Sequence, residues 1–187
     1  MTPGRECLLL MDYQVDIVTR YDADECVSRA AAALEAARAD GTPVIFVRVG
    51  FRPGHVEVSP HNRAFSSAKA AGRFTLGDAG TEIDGRLAPS AAEPVVTKRR
   101  VGAFWATELE QILRAQGVER LALAGIATSG VILSTVRDAA DRDFELTVLS
   151  DCCADTDPEV HRVLLERVFP RQARVITSKE WVESHSQ

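Results

Sequence analysis

Three groups able to do chemistry stand at the ends of apolar runs in this sequence. Asp12 follows CLLLM, Lys98 follows VVT, and a turn rich in Gly, Ser and Thr, Gly125 to Gly130, follows LALA. A carboxylate can accept or donate a proton, and an ammonium beside it stabilises negative charge. Backbone N–H groups freed at a strand-to-helix turn receive an anion or a developing oxyanion. Together these are the parts of a hydrolytic site, with Asp12 and Lys98 as the reacting pair and the Ala127 and Val131 amides as oxyanion donors. A water attacking a carbonyl held by those amides needs nothing more. The turn offers no acid, base or nucleophile of its own, because its first helical position is Val131.

Positioning these groups requires strands that end in register, and the chain is patterned for that. Short runs rich in Leu, Val and Ile alternate with longer segments of helical period, the signature of a parallel sheet covered on both faces. Six strands are predicted: Cys7–Met11, Val44–Val49, Val95–Thr97, Leu121–Ala124, Leu146–Leu149 and Arg174–Ile176. Helices are predicted over Ala23–Ala39, Trp105–Gln116, Val131–Arg142 and Pro158–Val168. One doubly wound sheet accounts for nearly every segment, and 187 residues with 45% hydrophobic content suffice for one domain spanning 1–187. The long segment Gly50–Pro94 leaves the carboxyl end of the second strand and reads as a lid or substrate loop.

Composition excludes several functions. The formal charge of −5 comes from 22 basic and 27 acidic residues in mixed order, with no basic stripe for nucleic acid. No apolar run approaches the ~18 residues of a membrane span, and the N-terminus lacks a secretory pattern. Cys7, Cys26, Cys152 and Cys153 have neither paired spacing nor scaffold density, which fits a reducing cytoplasm.

The strings LLLMDYQVDIV, VVTKRRVGAFWATELEQIL, LALAGIATSGVILSTVRDAADRDF and VLSDCCADTDPEVH resemble the isochorismatase-like hydrolase superfamily, the cysteine hydrolases that include nicotinamidases. The resemblance covers nearly the whole chain. It implies a three-layer α/β/α fold with a six-stranded, mostly parallel sheet, and an Asp, Lys and Cys signature in that chain order. Asp12 and Lys98 match it. The family turn, roughly G-V-x-T-x-x-C-V-x-x-T, lays onto Gly125 through Thr135 and puts Val131 at the cysteine position. It also implies a non-proline cis peptide at Ile126–Ala127, with Ile126 against the substrate. Isochorismatases likewise lack the cysteine, which implies enol-ether hydrolysis with Asp12 as general acid. Lys98 close to Asp12 favours its carboxylate, whereas burial favours the acid. Residue types alone leave the acid and base roles open.

Each candidate has a plainer reading. Asp12 could be a turn cap, Lys98-Arg99-Arg100 a solvated loop, and Gln14, of the family's D-x-Q string, a brace for the loop backbone rather than a substrate contact. Phe51, Arg52, Phe104 and Trp105 are candidates for the pocket wall, Arg52 for a substrate carboxylate and Phe104 alternatively for core. Ser129 reads as a helix cap. Cys152 or Cys153 could replace the missing nucleophile, although buried cysteine is commonly a small hydrophobe. The metal-binding pattern of nicotinamidases is absent. His55, Glu57 and His61 have a spacing able to ligate zinc but read as loop residues, so neither metal nor cofactor is expected. The function expected is hydrolysis of a small molecule without a covalent thiol intermediate, in a homodimer or higher homo-oligomer. The alternative is a catalytically silent member of the superfamily that binds a small molecule or builds an oligomer.

Overall fold

A computed structural model describes residues 4–185; residues 1–3 and 186–187, the two ends of the expected 1–187 domain, lie outside the described residues. Six strands form one sheet: β1 (Arg5–Met11), β2 (Val44–Val49), β3 (Val95–Lys98), β4 (Val118–Ile126), β5 (Glu145–Ala154) and β6 (Arg174–Ile176). Their order is β3-β2-β1-β4-β5-β6, and every pairing is parallel rather than mostly so. The order reverses between β1 and β4, the place where open α/β sheets leave a crevice at their carboxyl ends.

Strand sequences are almost wholly apolar because both faces are covered. Leu8 and Leu10 of β1 face one core, with Val27, Ala30 and Leu34 of α2 (Asp24–Asp40) and with Trp181. Cys7, Leu9 and Met11 face the other, with Leu109 and Leu113 of α4 (Leu109–Ala115) and Val136 of α5 (Leu133–Ala140). The period of two divides one strand between two cores. β1 and β4 approach so closely at the crevice that a Cβ on Gly125 would meet the Met11 carbonyl oxygen at 2.4 Å, so glycine is required there.

Several helix boundaries depart from the sequence reading. The helix expected from Trp105 starts at Leu109, because Ala106 has a φ of 54° and the Thr107 hydroxyl accepts the Leu109 N–H. The helix expected from Val131 opens instead as a wide π turn, Thr128–Ile132, before α5. Pro158–Val168 divides into α6 (Pro158–Val163) and a second π turn, Leu164–Val168. Short helices α1 (Val15–Arg20) and α3 (Arg63–Ala70) flank the crevice; in the sequence α3 shows only as weak periodicity and α1 not at all. The C-terminal helix α7 (Ser178–His185) was also unexpected. It is fixed by partners remote in sequence. The Ser178 N–H and hydroxyl donate to Asp151 at 2.7 and 2.8 Å, and Glu6 accepts the Trp181 indole N–H at 3.1 Å.

Candidate functional site

Asp12 is the first residue beyond β1, held by its N–H to the Val47 carbonyl at 2.8 Å and turned by a φ of 60°, a region that few residues other than glycine enter. Lys98 is the last residue of β3. One strand, β2, lies between them, so their backbones stand about two strand spacings apart, roughly 10 Å. The lysine stem spans that gap: Nζ meets Asp12 Oδ2 at 2.8 Å and donates to the Arg100 carbonyl at 3.0 Å. Both side chains are almost sealed, 7% exposed for Asp12 and 2% for Lys98.

Such burial makes the pair more than an ordinary ion pair, because each charge has lost its water. Loss of hydration lifts the Asp12 carboxyl above the usual aspartate range, and the nearby Lys98 ammonium only partly opposes this. Asp12 Oδ1 has no hydrogen-bond partner among the described residues. It is the oxygen left to carry or receive a proton.

Gln14 is wholly buried and braces the site. Its Oε1 accepts the Val49 N–H at 2.8 Å, and its Nε2 donates to the carbonyls of Val49 at 2.8 Å and Thr81 at 2.7 Å. The amide is fully used on backbone, which matches the brace reading rather than substrate contact.

The turn after β4 forms the third side. The Ile126–Ala127 peptide is cis, and the N–H groups of Gly130 and Ile132 converge on the Ala127 carbonyl at 3.0 and 3.3 Å. Ser129 does not cap with its side chain; its N–H is taken by Asp155 Oδ2 at 2.7 Å. Thr128 Oγ1 donates to the Ala154 carbonyl at 3.2 Å and contacts His161 Nδ1 at 2.8 Å. With the hydroxyl proton committed, His161 must donate from Nδ1. Partial burial lowers the His161 pKa, so the neutral Nδ1–H form is favoured. His161→Ala should therefore speed amide hydrogen exchange at Gly130 and Ile132 about fivefold, the ~1 kcal/mol of one hydrogen bond, and His161→Asn should restore protection by supplying an N–H donor. Equal exchange rates in wild type and the alanine variant would show that His161 does not hold the turn.

Asp12, Lys98, Ile126, Ala127 and Val131 all line one cavity of about 690 Å3. Its other wall comes from α1, α3 and the segment after α3, through Ile17, Tyr21, Phe65 and Phe74. The other wall candidates sit elsewhere. Phe51 is buried one layer behind, stacked on His55 and edge-on to Phe65, each at 5.1 Å between centroids. Arg52 points outward and pairs with Glu57 at 2.6 Å, so its charge is already satisfied. Phe104 belongs to the core on the opposite face, 6.0 Å from Phe144. Trp105 is 59% exposed and lies under the Arg100 guanidinium. The side-chain directions of these four are set by which sheet face or loop turn they occupy, which one-dimensional spacing does not report.

The cysteines lie outside this cavity as well. Cys7 and Cys26 are pushed up to about 12 by burial, and burial raises Cys152 and Cys153 still further. Such thiols form little thiolate. Of the residues whose spacing could ligate zinc, His55 Nε2 contacts the Arg73 carbonyl at 2.7 Å and Glu57 is shared by Arg52 and Arg99, with Arg99 at 3.0 Å. No described helix is long and apolar enough to cross a membrane.

Comparison with known proteins bears on the fold and the family. The model of the isochorismatase domain matches residues 6–180. An uncharacterised isochorismatase family protein of Escherichia coli O157:H7 is 32% identical over 178 residues, 92% of each chain. The maleamate amidohydrolase of Pseudomonas putida is 30% identical over 161 residues, covering 82% of this chain and 71% of that one. A cysteine hydrolase from Pseudomonas syringae pv. phaseolicola superposes with a TM-score of 0.90 at 22% identity, over 100% of this chain and 94% of the other, which is evidence of shared fold. With a family model spanning nearly all of the sheet and a relative aligned almost end to end, the chain belongs to the isochorismatase family of hydrolases.

Proposed function

We propose that this hydrolase moves a proton with Asp12 and forms no covalent thiol intermediate. The observation that carries the reading is the sealed Asp12–Lys98 pair on the cavity floor, with one carboxyl oxygen unpartnered and Val131 in the place where the resemblance sets a cysteine. Burial favours the protonated carboxyl, and that supports the acid role: Asp12 delivers its proton to the vinyl carbon of an enol ether, water adds to the resulting oxocarbenium carbon and gives a proton back to the Asp12 carboxylate, and the neutral hemiketal collapses to a carbonyl and an alcohol. The 2.8 Å contact with Lys98 favours a second reading, in which the ionised carboxyl takes a proton from water attacking an amide or ester carbonyl. The maleamate amidohydrolase relative lends that second chemistry its support.

A panel of small enol ethers, amides and esters, assayed from acid to alkaline pH, separates the two. In the acid role kcat/KM falls as pH rises through the Asp12 pKa, which burial places above the ordinary carboxylate value. In the base role it rises over the same interval. Iodoacetamide should leave either activity unchanged, since the thiols are buried and held as SH. Activity lost on alkylation with the fold intact, and lost also in Cys152→Ser or Cys153→Ser, would make a displaced thiol the nucleophile. Failure to turn over any member of the panel would favour a binding protein that has kept the pocket.

A further inference from the structure

The cavity wall opposite the turn carries three guanidinium groups that are paired with no carboxylate among the described residues. Arg20 ends α1, Arg63 begins α3 and Arg73 follows it; all three line the space above Asp12 and Lys98. Among the described residues none of the three has an ion-pair partner, whereas ten other arginines are paired with carboxylates. Arg73 is the most telling. Its Nε is sealed from solvent without a hydrogen-bond partner, while its backbone carbonyl is fixed by His55 and its guanidinium carbon lies 5.7 Å from the centre of the Phe74 ring. A sealed N–H is closed to a ligand as well, so it is the terminal N–H groups of this partly buried side chain, with no hydrogen-bond partner among the described residues, that stay open to an acceptor arriving with the ligand.

The charge around it selects the sign of that ligand. On the floor Asp12 and Lys98 compensate each other, leaving three guanidinium groups against the single wall carboxylate of Asp16. The Asp16 carboxylate is packed onto Gly80, where an added Cβ would lie 2.1 Å from its Oδ1. The cavity is thus positive in a chain whose net charge is −5. Field lines focused into such a cleft attract an anion. A planar guanidinium fork matches a planar carboxylate, and Phe65, Phe74, Tyr21 and Ile17 supply the surface for an apolar body next to it.

We infer that Arg73, flanked by Arg63 and Arg20, is the subsite for a carboxylate carried by the substrate at the end remote from the bond that breaks. Which end reacts rests on the Asp12 reading; the anion subsite stands on the arginines alone. The substrate is then an apolar carboxylic acid of small size, its carboxylate held by the lid side and its reactive bond lowered onto Asp12.

Isothermal titration with benzoate, with benzyl alcohol as the neutral probe of matching shape and with inorganic phosphate as the tetrahedral anion, tests this on the whole protein. Benzoate should bind more tightly than benzyl alcohol and more tightly than phosphate. Arg73→Gln should weaken benzoate about tenfold and leave benzyl alcohol unchanged, as expected for loss of one charge-assisted pair. Arg63→Gln, at an exposed position where folding is not at stake, should weaken benzoate in the same direction. Benzoate affinity unmoved by both substitutions would overturn the subsite, as would benzyl alcohol binding as well as benzoate. Tighter binding of phosphate with the same arginine dependence would overturn the carboxylate assignment. The titration needs no turnover, so it reports on the arginines even if the proton chemistry of Asp12 is wrong. An Asp12→Asn variant that kept its activity would in turn remove that chemistry and leave this subsite standing.

Discussion

Asp12→Asn is expected to reduce turnover by about 10²- to 10⁴-fold, the range contributed by a positioned proton-transfer group. The amide fills the same space but neither donates nor accepts the proton that both hydrolytic routes require. The substitution also strips the counter-charge from a Lys98 that is 2% exposed. Removing one member of a buried pair costs about 3–5 kcal/mol when the other must stay charged, so the melting temperature should fall as well. Activity is therefore measured below the variant's melting transition, with circular dichroism confirming the fold. The wild type and the variant should also differ in their pH dependence of stability. A carboxyl whose folded pKa is raised holds its proton more tightly when folded than when unfolded, so this contribution to stability declines as pH rises from the ordinary aspartate value through the raised one. The amide variant has no such slope. Turnover retained in a folded Asp12→Asn protein would eliminate the proposed pair.

Lys98→Met should be strongly destabilising, and increasingly so as pH rises. Methionine replaces the stem in a pocket that already excludes water, but it leaves Asp12 with no cation in contact. At low pH the carboxyl is protonated and the cost is small. Above the raised pKa the choice is between a buried unpaired carboxylate and a proton held against the bulk pH, and the loss approaches the ~3–5 kcal/mol of a broken buried pair. At this chain length each kcal/mol corresponds to roughly 2–4 °C, so thermal melts read the effect directly. Because Lys98 is what pulls the Asp12 pKa downward, its removal should also move the pH–rate profile to higher pH. A profile that stays in place would mean that the two groups do not titrate together, and the 2.8 Å contact would then have no part in the chemistry.

The two predictions rest on residues that were legible in the sequence. Asp12 and Lys98 each follow an apolar run, and the ends of parallel strands in a doubly wound sheet gather at one edge. The six strands were legible for the same reason, since burial on both faces writes a nearly continuous hydrophobic signal. The turn after β4 was legible as a turn, and its cis Ile126–Ala127 bond was implied by family resemblance rather than by spacing. The far wall of the cavity was not legible. α1 is six residues long with only Ile17 and Val18 buried, too little for a periodic signal, and α7 is anchored by Asp151 and Glu6, residues remote along the chain.

Local choices are written in the chain itself: where strands run, where they stop, and which reactive side chains stand at their ends. These depend on neighbours two to four residues away. Which arginine faces the ligand is settled at a later level, by the folded molecule. Arg52 and Arg73 look alike in the long segment after β2, yet Arg52 finds Glu57 while Arg73 lines the cavity with no ion-pair partner among the described residues. Folding likewise sends Phe104 into the opposite core and brings His161 back to Thr128 across 33 positions. The physical reason is that a charge, a ring or a hydroxyl acquires its role from what the folded chain brings within a few ångströms, and those partners are set by packing across the sheet rather than by spacing along the sequence.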